Sequence, residues 1–230
     1  MKLTSFDVLM QLLRDRSIFF AEIDQRKNID QKIVSLLMCS SIFFALYGAI
    51  IGSTHSGLQI VSSALKLPAL YLLTLLICLP TLFFLDIVLG SKKTFSQYLA
   101  LLMASMAMIS VMLFGFAPVT LFFRLSIDDY WFFLLLNIAV LGFTGYVGIR
   151  FFYKSMIDLV NKDPERKIAS NRLKLIKSWL FLYGFVGSQL GWTLRPFVGG
   201  PGEPFALFRE IESNFYIQVI YIVCKFLGLN

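Results

Sequence analysis

Charged side chains are scarce in this sequence. Asp, Glu, Lys and Arg make up 15% of its 230 residues, against about 25% in a soluble domain. With 57% hydrophobic residues and a mean hydropathy of +0.75, that scarcity excludes a water-soluble globule, and the bilayer must be the solvent. Histidine is almost missing. The single copy, His55, sits in a glycine- and serine-bearing connection without an acidic neighbour in sequence. No nucleophile motif, paired carboxylates or phosphate-cradling glycine loop accompanies it, so the chain reads as non-enzymatic. Cys39, Cys78 and Cys224 each lie inside an apolar run, lack zinc spacing, and read as small buried hydrophobes; no cofactor is expected. A cleavable signal peptide is not visible either. The first thirty residues lack a continuous apolar core and carry Asp7, Asp15, Glu22, Asp24 and Asp30.

What the sequence has instead is long apolar runs. A helix needs about 20 such residues to cross roughly 30 Å of hydrocarbon, and five runs qualify: Ile33–Gly52, Leu67–Leu89, Tyr98–Phe123, Trp131–Phe152 and Ser178–Thr193. The expected fold is all-α, a polytopic transmembrane helical bundle. A sixth stretch, Phe215–Leu229, either spans with Lys225 snorkelling or lies along the outer interface or in a partner. The expected organisation is a cytoplasmic segment over 1–32 and one membrane domain over 33–230. That domain contains a basic cytoplasmic loop at 153–177 and a Pro/Gly cap at 192–209.

Sixteen of the 21 Lys and Arg cluster: six in 1–32, two at Lys92 and Lys93, and eight from Arg150 to Lys177. The positive-inside rule therefore puts the N-terminus in the cytoplasm and the cap outside. The clusters lack the aromatic interleaving of a nucleic-acid groove, so anionic lipid headgroups, not nucleic acid, are their expected partners. Residues 4–24 place Phe6, Leu9, Leu13 and Phe20 opposite Arg14, Asp15 and Arg16. This spacing predicts one amphipathic helix, capped by Thr4 and Asp7, lying at the interface or docked on the protein's own loops. A turn is expected at Asp163-Pro164 and a kink at Pro80.

The segment GWTLRPFVGGPGEPFALFR, Gly191 to Arg209, carries the densest turn chemistry. Pro196, Pro201 and Pro204 fix φ while Gly199, Gly200 and Gly202 permit positive φ. Trp192, Phe197, Phe205 and Phe208 need a surface to pack on, so this is a folded cap over the bundle and not a linker. Arg195 and Arg209 either bind an anionic group or pair with Glu203, Glu210 or Glu212. Gly187 and Gly191 form a GxxxG, and Gly142, Gly145, Gly148, Gly48 and Gly52 mark further small-residue faces. Each serves packing within the chain or an oligomer seam. Asp86 is the one carboxylate at membrane depth, with Arg150, Lys92 or Lys93 as the expected partner. Asn137 and Gln189 read as interhelical glue.

SQLGWTLRPFVGGPGEPFALFR, LLRDRSIFFAEI and ALKLPALYLLT together resemble a family of bacterial polytopic membrane proteins with a W-x-L-R-P-F-[IV]-G signature, here Trp192 to Gly199. The resemblance implies the fold and no particular activity. Leu89 to Thr94 echoes the L-x-x-K-K-T core of actin-binding WH2 elements. Those are disordered segments with a short helix, whereas this stretch reads as a tight turn between spans. The layout is also similar to that of Yip1-like proteins, which implies a trafficking or scaffolding role. The expectation is a scaffold or accessory subunit whose partners are the bilayer and other membrane subunits or copies of itself. The alternative is a homo-oligomeric channel or small transport unit lined by Asp86, Asn137 or Gln189.

Overall fold

The computed structural model describes residues 4–127, 129–160, 166–200, 202–210 and 214–227. All regular structure in them is helical: α1 (Ser5–Arg14), α2 (Arg16–Asp24), α3 (Ile29–Gly52), α4 (Gly57–Val88), α5 (Phe95–Ser126), α6 (Tyr130–Val160), α7 (Arg166–Thr193) and α8 (Phe215–Phe226). Four of these, α3 to α6, are long and apolar enough to cross a membrane. α7 has 28 residues, but its first half carries Arg172, Lys174 and Lys177, and its apolar part falls short of a full crossing. The 12 residues of α8 rise only about 18 Å, too little to span hydrocarbon. The expected turn at Asp163-Pro164 lies outside the described residues.

α5 is the central helix. Every residue from Ala100 to Ser110 is buried, and the run is built from Ala, Ser, Met, Leu and Ile, so it presents no polar face and lets neighbours approach on all sides. α3 and α6 pack on it, and α4 packs on α3. The α3–α4 hairpin closes at Gly48 and Gly52, where an added Cβ would collide with the backbone carbonyls of Ser63 and Gln59. α4 continues as helix through Pro68 and Pro80, and α5 through Pro118.

Residues 4–24 form two helices, not one, because the chain breaks at Asp15 (φ −123°, ψ 56°). Thr4 and Asp7 make the expected capping box, with Thr4 N to Asp7 Oδ2 at 2.8 Å. Val8, Leu9, Leu12, Phe19 and Ile23 are buried while Phe6 is exposed, so α1 docks on α3 and α2 on α5. The seam is polar at its centre. Lys32 Nζ, itself buried, donates to Glu22 Oε2 at 2.6 Å and Gln11 Oε1 at 3.2 Å, and lies over the Phe19 ring. The hydrogen bond from Lys32 holds the Glu22 carboxyl below its ordinary range, against burial, which opposes it. Lys93 Nζ adds a 2.6 Å bond to Asp24, and Gln97 Nε2 donates to the carbonyls of Ile23 and Asp24. These contacts gather the basic clusters at one end of the bundle and leave the cap at the other.

Candidate functional site

At the cap end, Gln59, Ser63 and Lys66 stand at i, i+4 and i+7 on one face of α4. That face is polar in an otherwise apolar helix, and it receives the cap. Gln59 Nε2 donates to the Pro196 carbonyl at 2.9 Å, and Ser63 Oγ donates to the Phe197 carbonyl at 2.6 Å. Lys66 Nζ donates to Pro196 O at 3.3 Å and to Leu207 O, and lies 4.8 Å from the Phe208 ring centre. A buried ammonium is tolerated only when its donors are met, and backbone carbonyls of the cap meet them here. The Arg195-Pro196 peptide is cis. His55 Nε2 lies 2.7 Å from the Glu203 carbonyl, and its ring fills the space a side chain at Gly199 would need. The cap is therefore stitched to α4 at Pro196, Phe197 and Leu207, and to the α3–α4 connection at Glu203.

The cap residues singled out by sequence meet around one cavity. Arg195 stacks on Trp192, its guanidinium carbon 3.5 Å from the ring centre, and donates to the Glu210 carbonyl. Trp192 is 9% exposed, with the Arg195 guanidinium over its ring. Arg209 pairs with Glu203. Trp192, Arg195, Pro196, Phe197 and Arg209 all line a cavity of about 220 Å³ whose remaining walls come from α3, α4, α6, Gly191 of α7, and α8. The lining is mainly Leu, Ile, Val and Phe, with Tyr130, Asn137 and Gln218 as the uncharged polar members. Below it, Tyr47 Oη donates to Asn137 Oδ1 at 3.1 Å and lies 3.2 Å from Thr120 Oγ1, tying α3, α5 and α6 together.

At the basic end Asp86 is fully buried, and its partner is Arg172 of α7 rather than Arg150, Lys92 or Lys93. Arg172 Nε reaches Oδ1 at 2.8 Å and Nη2 reaches Oδ2 at 2.9 Å, the paired geometry that a guanidinium offers and an ammonium does not. Tyr98 donates to Oδ2, and Ser91 Oγ lies 2.7 Å from the Tyr98 hydroxyl and 3.2 Å from Arg172 Nη2. Lys93 is occupied by Asp24, and Arg150 lies over Tyr146. Ser91 belongs to the stretch that echoes a WH2 core, which here is a turn with Gly90 at φ 86°.

The glycine faces divide. Gly187 and Gly191 turn to Thr74 and Leu70 of α4, at 3.5 and 3.9 Å from an added Cβ, and Gly148 packs under Ile109 of α5, so these serve the chain's own packing. At Gly142 and Gly145 an added Cβ would meet nothing within 4 Å. Sequence reasoning missed Gln59, Ser63, Lys66, Tyr98 and Arg172. The helical spacing of the first three was the available signal, while Arg172 was hidden among the basic residues of its loop. Against protein-family models, curated proteins and solved structures, the chain shows no match.

Proposed function

We propose that this chain is a non-enzymatic integral membrane scaffold or accessory subunit that crosses the membrane five times, with α1, α2 and the basic end in the cytoplasm of a bacterial inner membrane. The fifth crossing is supported by depth. α7 meets α4 at Arg172–Asp86, again where Trp179 Nε1 donates to the Cys78 carbonyl at 3.1 Å, and again at Gly187–Thr74 and Gly191–Leu70. It therefore follows α4 from the basic end to the cap, its charges lying at the basic end.

The observation that carries the scaffold reading is the bare face at Gly142 and Gly145, flanked by exposed Phe143 and Tyr146. Small residues in a membrane helix admit a neighbouring backbone, and this pair meets none among the described residues of its own chain. The deep polar groups, by contrast, are spent on holding helices together. Asp86 and Asn137 sit in separate networks at opposite ends of the bundle, which weighs against a conduction path running along them. Purification in mild detergent with quantitative mass spectrometry tests the reading. The wild type should retain a stoichiometric partner chain or a second copy, Gly142→Leu/Gly145→Leu should lose it while remaining folded, and a wild type that elutes alone contradicts the proposal.

A further inference from the structure

We infer that the cavity beneath the cap is a binding site for an anionic amphiphile, one acyl chain carrying a carboxylate or phosphate head. Its polarity is graded along its length. Tyr130, Arg195 and Arg209 line the cap end, whereas Ile138 and Leu141 line it further along α6, so the lining follows that helix for about 16 Å at 1.5 Å per residue. Among the described residues, two arginines and no carboxylate line it. In surroundings this apolar, a guanidinium attracts an anionic head far more strongly than it would in water.

The outer wall is α8, whose Phe215, Gln218, Val219 and Ile222 recur at i, i+3, i+4 and i+7 and turn inward. Gln218 is the polar exception on that face. Its amide and the Tyr130 hydroxyl make no hydrogen bond among the described residues, yet both border the cavity. A purely structural filler would leave an apolar space with an apolar rim. This one has an apolar body, two donors at hand, and two guanidiniums at one end, which is the distribution of a molecule with a long tail and a charged head. Glu203, paired with Arg209, is the group that an incoming anion displaces.

The test uses the full chain in phosphatidylcholine nanodiscs, titrated with dodecyl phosphate, laurate, lysophosphatidylglycerol and uncharged dodecanol, and read by thermal shift and tryptophan fluorescence. At least one anionic probe should bind about tenfold or more tightly than dodecanol, the worth of one charge-assisted hydrogen bond. Preference for lysophosphatidylglycerol marks a membrane lipid as the source, and preference for laurate or dodecyl phosphate marks a free amphiphile. Arg209→Gln should weaken the anionic probes about tenfold and leave dodecanol unchanged. Val219→Trp, on the peripheral α8, should fill the cavity and abolish all binding. Glu203→Gln should tighten the anions, an outcome that a merely structural ion pair does not give and one that decides the matter if Arg209→Gln fails to fold. Dodecanol binding as tightly as every anion, no binding by the wild type, or anion affinity indifferent to Glu203→Gln overturns the inference.

Discussion

Arg172 grips both carboxylate oxygens of Asp86, at 2.8 and 2.9 Å, across 86 residues of sequence and with both side chains withdrawn from the surface. The pair fixes the start of the apolar part of α7 against the end of α4. It joins α7, which falls short of a crossing by hydropathy, to α4, which does not.

Breaking that pair should be costly in one direction only. Asp86→Ala or Arg172→Ala leaves a buried charge without its partner and should destabilise by about 3–5 kcal/mol, whereas Asp86→Leu/Arg172→Met should come within about 1–2 kcal/mol of the wild type. Chemical unfolding of Asp86→Leu, Arg172→Met and the double variant in mixed micelles closes the double-mutant cycle that measures the coupling. Additive single-mutant losses would show that the pair contributes no coupling.

The glycines should separate by location. Gly48→Ala and Gly52→Ala push a methyl into the α4 backbone and should cost about 1–3 kcal/mol by overpacking. Gly142→Ala enters open space and should be neutral or slightly stabilising, since alanine is the better helix former. Thermal unfolding of the three variants in one detergent ranks them.

The Lys66 ammonium holds two cap carbonyls. Lys66→Met should orphan the Leu207 carbonyl at a cost of about 1–3 kcal/mol, while the Pro196 carbonyl keeps its bond from Gln59 Nε2. Its first effect should be local, making residues 195–210 a site of proteolytic nicking while the bundle stays intact. Limited proteolysis with mass mapping reads this, and uniform destabilisation of bundle and cap would argue that they unfold as one unit.

Docking of α1 and α2 should weaken in acid. The Glu22 carboxyl is held below its ordinary value by Lys32, so its contribution is fully present above the unfolded value of about 4.3 and is lost as pH falls through the lower folded value. Hydrogen exchange in residues 5–24 should therefore rise on acidification below about pH 4.3. In Glu22→Gln it should already be raised at neutral pH, with that part of the pH dependence removed.

Much of the architecture was legible in the sequence because the bilayer imposes it. Apolar runs had to be helices, and the four best of them are. α7 and α8 were harder, since charge at one end of α7 and the shortness of α8 leave hydropathy ambiguous, and only contacts with α4 and α6 locate them. The cap residues Trp192, Arg195, Pro196, Phe197 and Arg209 were recognisable from turn chemistry. What they rest on was not, because Gln59, Ser63 and Lys66 lie more than a hundred residues away and their spacing carries meaning only once α4 is seen to face the cap. Asp86 was marked as unusual by its depth, but its partner depended on which of several basic residues α7 carries to the same level. The break at Asp15 divides what periodicity presents as one helix, and no breaker residue announces it.

The central claim is that α6 offers Gly142 and Gly145 to another membrane chain, and photo-crosslinking in native membranes tests it most directly. A photoreactive residue at Phe143 or Tyr146 should give a discrete protein adduct, of a partner chain or a second copy, that disappears with Gly142→Leu/Gly145→Leu, while one at the exposed Leu76 of α4 should give none. Lipid adducts alone at all three positions, or protein adducts unaffected by closing the glycine face, would contradict it.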